Sequence, residues 1–336
     1  MTRPPIAFAM QPERTRYVLT PELLLKFDSL GRVLDQRPMT EFGDGRAKRL
    51  LAETEILVTG WGAPLFDRAA LAAAPRLRLV VHAAGTIKGV IDECVFDAGV
   101  AVSHAAEANA VPVAEFTLAA IIFAGKQVFQ FRDLYVTDRD RTRTYLLQGQ
   151  PIGNYRRTIG IVGASRIGRR VIELLRPFDY QVLLYDPLVG QDSASALHAE
   201  KVDLDTLMAR ADIVSLHAPS LPETEHMIDA RRLSLMKDGA TLINTARGAL
   251  VNEAALIDKL KTGTINAVID VTHPEVPERG SPFYDLPNVF LTPHIAGAVG
   301  LERTRLGEMA ADEIARFIEG RPLRYEIRKA DLERMA

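Results

Sequence analysis

The chain of 336 residues has few of the features that would set it apart from ordinary globular proteins. Its one cysteine, Cys94, allows no intramolecular disulfide, so we expect a reducing, cytoplasmic setting. Neither sign of charge dominates, because 41 basic and 43 acidic residues leave a net charge of −2, and we expect no nucleic-acid partner. The longest apolar run, 114–125, contains Glu115 and predicts a buried helix, not a membrane partner.

The 47% of hydrophobic residues is sufficient for a sizeable core, and it is arranged in an alternating pattern. Apolar runs predict strands at 5–9, 55–60, 77–83, 100–104, 158–163, 181–186, 212–217, 241–246, 266–271 and 289–292. Helical segments fit between many of them, at 65–75, 166–176, 203–210 and 252–263. Continuous apolar strands separated by helices predict an α/β fold with parallel sheets covered on both faces.

Two long helical segments suggest how the chain is divided into domains. A helix at 110–127 is placed to bridge a first α/β unit and a second one. A helix at 301–320 is placed to return to the first unit, which would then be discontinuous. We therefore expect a domain of residues 1–108 and 299–336 and a domain of residues 109–298, with 321–336 as a solvated end.

The stretch TIGIVGASRIG, residues 158–168, predicts a strand, a tight turn and a helix start. Free N–H groups at a helix N-terminus suit a pyrophosphate, with Gly163 for the turn and Gly168 for close packing. Ser165 stands where the G-x-G-x-x-G pattern has its middle glycine, and its hydroxyl is able to bind a phosphate oxygen. Taken alone, the stretch fits a plain βα turn equally well.

The next predicted strand favours the dinucleotide interpretation. Asp186 ends it, 186 − 168 = 18 residues after the last glycine, where a carboxylate can accept both ribose hydroxyls. It would repel a 2′-phosphate, so NAD (NADH) is favoured over NADP. The alternative is that Asp186 only forms an Asp-Pro turn.

Further downstream, charged residues follow successive predicted strands, at the edge where ligands bind in open α/β sheets. Arg247 can grip a carboxylate and polarise a neighbouring carbonyl. Asp270 and Glu275 lie at and after one strand, and His294 follows the last, so a histidine–carboxylate pair for proton transfer is available. His273 and His217 are competitors for the acid–base role, although His217 fits better as a residue lining the nucleotide site.

The assembled segments resemble the D-isomer-specific 2-hydroxyacid dehydrogenases. The resemblance covers residues 77 to 300 and is carried by HAAGTIKGVI, NAVPVAEFTLA, TIGIVGASRIGRRV, VLLYDP, DIVSLHAPSLPETEHMI, MKDGATLINTARGALVNEAAL, AVIDVTHPE and NVFLTPHIAG. It implies two Rossmann-like domains, the substrate domain being formed from both chain ends, and a homodimer.

The resemblance also implies roles for individual residues. Arg247 orients the substrate, His294 is the acid–base residue and Glu275 is its carboxylate partner. Ala84 and Gly85 belong to the loop whose N–H groups take the substrate carboxylate, together with Arg247 and His294. The implied cofactor-binding residues are Gly163, Ser165, Arg166, Ile167, Gly168, Asp186, His217, Ala218, Pro219, Thr224, Thr245, Ala246, Asp270, Ala296 and Gly297, and no metal site is implied.

The expected function is the NAD-dependent interconversion of a small 2-keto acid and its D-2-hydroxy acid. Glyoxylate, hydroxypyruvate and larger keto acids all remain candidates, and Lys88 either attracts a second anionic group or is a solvated surface charge. Thr272 and His273 replace the more usual Phe and variable residue before Glu275, which alters the pocket wall. The alternative is a nucleotide-sensing scaffold like the dehydrogenase-related transcriptional corepressors, which can retain the same three residues as Arg247, Glu275 and His294.

Overall fold

The computed structural model describes residues 3–334, which form two compact units. The first unit contains the chain as far as Ala110 and the chain from Ala298 onward. The second unit is Val111–Gly297.

Each unit contains one sheet, and every strand pair within both sheets is parallel. The strands of the first unit are β1 (Pro5–Ala9), β2 (Arg32–Val33), β3 (Ile56–Thr59), β4 (Leu79–His82) and β5 (Ala101–His104), in the order β2-β1-β3-β4-β5. Those of the second unit are β6 (Thr158–Val162), β7 (Gln181–Tyr185), β8 (Glu200–Lys201), β9 (Ile213–Leu216), β10 (Thr241–Asn244), β11 (Asn266–Ile269) and β12 (Val289–Leu291), in the order β12-β11-β10-β9-β6-β7-β8. The predicted α/β fold with parallel sheets is therefore confirmed.

Fourteen α-helices connect and cover these strands in the part of the chain between residues 3 and 334. They are α1 (Pro12–Val18), α2 (Pro21–Leu30), α3 (Gly45–Glu53), α4 (Arg68–Ala73), α5 (Cys94–Asp97), α6 (Ala106–Gly125), α7 (Val128–Asp138), α8 (Thr142–Leu147), α9 (Arg166–Leu175), α10 (Gln191–Ala196), α11 (Leu204–Arg210), α12 (Ala230–Leu235), α13 (Glu253–Lys261) and α14 (Thr304–Ile318).

Short polar side chains start several of these helices. Asp67, Asp203 and Asn252 each accept a hydrogen bond from the backbone N–H three residues later, which satisfies one of the N–H groups that a helix start leaves without a partner. Thr20 caps α2 in the same way, with Pro21 directly after it. Neither α2 nor α3 was predicted from the sequence.

In the second sheet the chain order reverses between β6 and β9. Three strands, β6 to β8, run outward on one side, and the chain then returns to β9 on the other side. Loops that leave the carboxyl ends of two such strands diverge and open a crevice, where doubly wound proteins bind ligands. The turn at Gly163 and the loop at His217 follow these two strands.

Apolar helix α6 is longer than the run from which it was predicted. It has 20 residues, and by length and composition it passes as a membrane span, although 56% of its most apolar window is buried. Ala114, Ala120 and Ile121 lie in the core of the second unit with Ile159 and Ile161 of β6. The helix therefore contributes to a protein core, as the sequence predicted.

The expectation that residues 321–336 form a solvated end is wrong for Tyr325 to Ile327. Ile327 is 5% exposed and donates its N–H to the Val102 carbonyl of β5 at 2.8 Å. The buried carboxylate of Glu313 accepts the N–H of Tyr325 at 3.0 Å and the hydroxyl of Ser103 at 2.6 Å. Burial of Ile327 and the hydrogen bonds accepted by Glu313 thus hold in place a segment that its mixed charge predicted to be exposed to solvent.

Candidate active site

The turn after β6 has room for glycine alone. Gly163 has φ +98°, and a Cβ on it would lie 2.7 Å from the backbone nitrogen of Ala218. A Cβ on Gly168 would lie 2.1 Å from the carbonyl oxygen of Gly163. The first turn of α9 therefore lies directly against the end of β6 and beside the loop after β9, at the reversal of strand order.

Ser165, which occupies the middle glycine position, is the N-cap of α9. Its backbone is extended, with φ −64° and ψ 178°, and its Oγ accepts the N–H of Gly168 at 3.3 Å. A hydroxyl that accepts one hydrogen bond still has its own hydrogen to donate. The serine is thus compatible with an anion at the N-terminus of α9.

Asp186 has both of its carboxylate oxygens bound to backbone. Oδ2 accepts the N–H of Ala164 at 2.7 Å, and Oδ1 accepts the N–H of Leu188 at 2.8 Å. The second bond closes a turn, as the Asp-Pro interpretation predicts, while the first ties Asp186 to the glycine turn. Each oxygen has a second lone pair, so the carboxylate is still able to accept ribose hydroxyls.

His217 is 3% exposed in the loop after β9. Its Nε2 bonds the Ser215 hydroxyl at 2.9 Å, whereas its Nδ1 has no hydrogen-bond partner among residues 3–334. Burial lowers the pKa of His217 to about 3, so the ring is neutral at ordinary pH. A buried, neutral imidazole is unsuited to donate protons, but its unpartnered nitrogen suits a residue that lines a ligand, and the His217 backbone lies beside Gly163.

These features fit a dinucleotide: a glycine turn at a reversal of strand order, a helix N-terminus, a carboxylate at the end of β7 and an unpartnered buried nitrogen. Thr224 has a local role, because its hydroxyl donates to the Pro219 carbonyl at 2.6 Å and accepts the Leu221 N–H at 2.9 Å. Thr245, also predicted to bind cofactor, is buried and bonds the hydroxyl of Thr117 at 3.0 Å.

Arg247 follows β10 in a loop that the side chain of Asn244 organises. Asn244 accepts the N–H of Ala246 at 3.1 Å and donates to the Arg247 carbonyl at 2.9 Å. The guanidinium donates one bond, to the Ala246 carbonyl at 2.7 Å. Burial lowers the pKa of Arg247, and the negative charge of Glu275 opposes that shift. No carboxylate of residues 3–334 pairs with this guanidinium within 4.0 Å, so its remaining donors are available to an anion.

The Arg247 loop lies against the loop that carries Glu275. A Cβ on Gly248 would lie 2.1 Å from the carbonyl carbon of Thr272. The carboxylate of Glu253 accepts the N–H of His273 at 2.6 Å, and burial raises the pKa of this carboxyl group. Glu253 and Asn244 were not predicted from the sequence, because a polar residue beside a helix start or at a strand end predicts only a cap or a turn.

His294 and Glu275 are brought together. His294 has φ +54°, and its Nδ1 is hydrogen-bonded to Oε1 of Glu275. The two side chains are 46% and 61% exposed, so the pair is open to a ligand. A carboxylate at Nδ1 stabilises a protonated imidazole and leaves Nε2 to exchange a proton. The competing candidates lack this arrangement, since His217 is buried and neutral and no carboxylate pairs with the His273 ring among residues 3–334.

Asp270 holds the segment that carries His294. The residue is 2% exposed, and its Oδ1 accepts the Thr292 hydroxyl at 2.7 Å and the Ile295 N–H at 2.8 Å. Its Oδ2 accepts the Ala296 N–H at 3.0 Å. One buried carboxylate thus accepts three hydrogen bonds from residues on both sides of the histidine and holds this segment in place.

The structure also places the other residues that the sequence predicted. Ala84 is fully buried and Gly85 is half-buried in the loop after β4 of the first unit, and Lys88 is exposed. In the second unit Ala218, Ala246 and Ala296 are buried, Gly297 is half-buried, and Arg166 and Ile167 begin α9. Cys94 is buried, as expected of a small apolar side chain.

Comparison with known proteins gives a consistent result. The family model for the D-isomer specific 2-hydroxyacid dehydrogenase, NAD binding domain, matches residues 119–296. A D-3-phosphoglycerate dehydrogenase of Mycobacterium tuberculosis is 34% identical over 282 residues, which are 83% of this chain and 52% of that protein. A glyoxylate reductase of Aeropyrum pernix is 34% identical over 256 residues, 75% of this chain and 76% of that protein.

The fold is shared with solved structures as well. The NAD-complexed D-isomer specific 2-hydroxyacid dehydrogenase of Lactobacillus delbrueckii ssp. bulgaricus superposes with a TM-score of 0.80 at 22% identity, covering 96% of this chain and 100% of that one. The chain spans about half the length of the phosphoglycerate dehydrogenases that it matches. The family model, the two relatives and the geometry of the second unit agree, and the chain belongs to the D-isomer specific 2-hydroxyacid dehydrogenase family.

Proposed function

We propose that this chain catalyses the NAD-dependent interconversion of a small 2-keto acid and its D-2-hydroxy acid. The observation that carries the proposal is an exposed His294–Glu275 pair in loops next to Arg247, whose guanidinium has no carboxylate partner among the described residues. The names of the two relatives, one of them a glyoxylate reductase, support a short 2-keto acid as the substrate class.

When bound, NADH supplies a hydride to the keto carbon. The turn at Gly163, the N-terminus of α9 and the carboxylate of Asp186 bind the dinucleotide. Because Asp186 is negatively charged and already tied to backbone, it accepts ribose hydroxyls and repels a 2′-phosphate, which favours NAD over NADP.

Arg247 grips the substrate carboxylate and polarises the adjoining carbonyl. The loop of Ala84 and Gly85 in the first unit offers backbone N–H groups that suit a carboxylate. His294 donates the proton that the developing alkoxide requires, from Nε2, since Nδ1 is bonded to Glu275. Glu275 stabilises the imidazolium before the transfer. In the oxidative direction His294 accepts the proton.

Oxidation of NADH by the purified protein tests the proposal, measured with glyoxylate, hydroxypyruvate and larger 2-keto acids and with NADPH in parallel. We expect turnover with NADH and at least a tenfold lower kcat/KM with NADPH, because Asp186 repels the 2′-phosphate; a tenfold difference corresponds to about 1.4 kcal/mol. Tight NADH binding without turnover of any acid would instead favour the sensing scaffold.

Replacement of His294 by Gln tests the acid–base role. We expect kcat to fall by about 10²–10⁴, the usual contribution of a general acid, with NADH affinity nearly unchanged. His273→Gln is the matched control, because this neighbouring histidine is exposed and outside the pair. Near-normal turnover of His294→Gln would refute the assignment.

We also propose that the protein is a homodimer, located in the cytoplasm. Helix α7 has no buried side chain although it contains Tyr135 and Val136, which are 56% and 59% exposed, and Leu146 of α8 is 73% exposed. A second copy of the chain would bury these apolar side chains. Sedimentation equilibrium should give a dimer for the wild type and for Leu188→Asp, which alters a residue 87% exposed elsewhere, and a monomer for Tyr135→Asp with Leu146→Asp. A dimeric double variant would place the interface on another surface.

A further inference from the structure

Two buried histidines lie side by side below the loop that follows β4. His82 ends β4 and His104 ends β5, and the two residues are paired in the register of the parallel strands. They are 1% and 4% exposed. Adjacent positions on parallel strands project to the same face of a sheet, so the two rings are neighbours. Neither residue takes part in the reaction proposed above.

Both rings bind the backbone of the loop. Nδ1 of His104 lies 3.1 Å from the carbonyl oxygen of Gly85 and therefore donates to it. Nδ1 of His82 bonds the Thr59 hydroxyl at 2.9 Å, and the His82 ring also interacts with the backbone of Thr86 in the manner that favours a protonated ring. The backbone group of Thr86 that favours a protonated ring is its carbonyl, which therefore lies on the side of His82.

The carbonyl of Ala84, which precedes that of Gly85, is held from the same side. The N–H of Ala105, directly after β5, is shared between the carbonyl of His82 at 2.9 Å and that of Ala84 at 3.2 Å. Three consecutive carbonyls, those of Ala84, Gly85 and Thr86, are thus drawn toward groups at the ends of β4 and β5.

A trans peptide bond points its N–H away from its own carbonyl. Fixing the carbonyls of Ala84, Gly85 and Thr86 therefore turns the N–H groups of Gly85, Thr86 and Ile87 in the opposite direction. No group of the described chain, residues 3–334, accepts a hydrogen bond from any of these three N–H groups. Successive N–H groups that face away from the sheet without partners form a site for an anion.

We propose that His104, assisted by His82, is a positioning residue that presents these three N–H groups to the substrate carboxylate. The inference rests on the function proposed above and extends it to residues that touch neither substrate nor cofactor. His104 acts through the Gly85 carbonyl, and its loss affects substrate binding more than the proton transfer at His294.

Burial lowers the pKa of His82 to about 3, with a further contribution from His104, so His82 is neutral at ordinary pH. A neutral imidazole has one N–H donor and one acceptor nitrogen. Nδ1 of this neutral ring is bonded to the Thr59 hydroxyl, and the ring also interacts with the backbone of Thr86 in the loop.

A matched pair of variants at position 104 tests the proposal. His104→Asn places an amide N–H close to the position of Nδ1 and keeps the donor, whereas His104→Leu has a similar shape and removes it. For glyoxylate reduction with saturating NADH we expect His104→Leu to raise KM about tenfold, the effect of one lost positioning bond, with kcat within about twofold. His104→Asn should recover most of the KM, and NADH affinity should be the same in all three proteins.

A direct binding measurement separates this inference from the proposed function. Oxamate, a non-reducible analogue of a 2-keto acid, is added to the NADH-loaded protein, and the amide resonances of Gly85, Thr86 and Ile87 are followed. Shifts in the wild type and His104→Asn, with about tenfold weaker binding to His104→Leu, support the inference whether or not any keto acid is reduced. Equal affinities in the Asn and Leu variants, or no shift of these amides in the wild type, overturn it. Absence of turnover with every acid overturns the proposed function alone.

Discussion

Replacement of Asp270 by Asn should loosen the segment around His294 without changing the size of the side chain. The carboxylate accepts three hydrogen bonds at a site that is 2% exposed. The side-chain amide of the variant has two orientations. In the more favourable one its oxygen accepts the hydrogen bonds from Thr292 and Ile295, and its NH₂ faces the N–H of Ala296. Two donors then face each other, which costs about 1–3 kcal/mol, and the two remaining bonds lose charge assistance worth about 1 kcal/mol in total. We therefore expect the segment to lose about 3 kcal/mol of local stability.

Hydrogen exchange of the Ile295 and Ala296 amides measures this loss directly. Three kcal/mol corresponds to about a hundredfold faster exchange where these amides exchange by local opening. kcat/KM should fall as well, because His294 is carried by the loosened segment. Thr292→Val removes a single bond and should have a smaller effect, and Asp258→Asn, at an 80% exposed side chain, should have none. Exchange in Asp270→Asn within about threefold of the wild type would refute the reasoning.

The other predictions concern stability. Gly248→Ala should lower the free energy of unfolding by about 1–3 kcal/mol or more, because the new Cβ meets the Thr272 backbone at 2.1 Å; Gly280→Ala, which meets nothing within 4 Å, is the control, and equal denaturation midpoints would contradict the prediction. His217 and His82 have folded pKa values of about 3, so between about pH 6.5 and 3 the unfolded chain binds protons that the folded chain does not. The free energy of unfolding should therefore fall by up to about 1.4 kcal/mol per pH unit for each histidine as the pH drops through that window. Urea unfolding at pH 7, 6 and 5 measures the slope of the free energy of unfolding against pH. His217→Gln should make this slope smaller, whereas His198→Asn, at an exposed histidine, should leave it unchanged. Identical slopes in the two variants would contradict the lowered pKa of His217.

The sequence predicted the longer strands well, because each is an apolar run bounded by turn residues. β6, predicted at 158–163, is Thr158–Val162, and β10, predicted at 241–246, is Thr241–Asn244. The two-residue strands β2 and β8 were missed, because so short a segment has no periodicity and pairs only in the folded sheet. Helix α7 was missed for a different reason, since its apolar residues do not occupy one face and none is buried.

At the site, residue type predicted which groups lie near one another but not what holds them. The pairing of His294 with Glu275 follows from two loops at one sheet edge, which strand order in the sequence already indicates. The three hydrogen bonds that Asp270 accepts could not be predicted, because they depend on the path of the backbone after β12. The contact of Gly248 with Thr272 likewise depends on tertiary approach, and a glycine in a sequence does not state which atoms come close to it.

Ser165 shows how a departure from a motif can be consistent with its function. The middle position of the glycine pattern needs little bulk and a backbone that enters a helix, and neither requirement calls for φ above zero here, since φ is −64°. A serine meets both needs and adds a cap, because its Oγ accepts the Gly168 N–H that would otherwise lack a partner. Gly163, by contrast, is required by its φ of +98° and by the backbone of Ala218 beside it. The first and middle glycine positions of the pattern are therefore not equivalent. Backbone geometry requires glycine at the first position. The middle position requires only a small side chain, and a serine hydroxyl that is already bonded to the helix leaves room there for a phosphate.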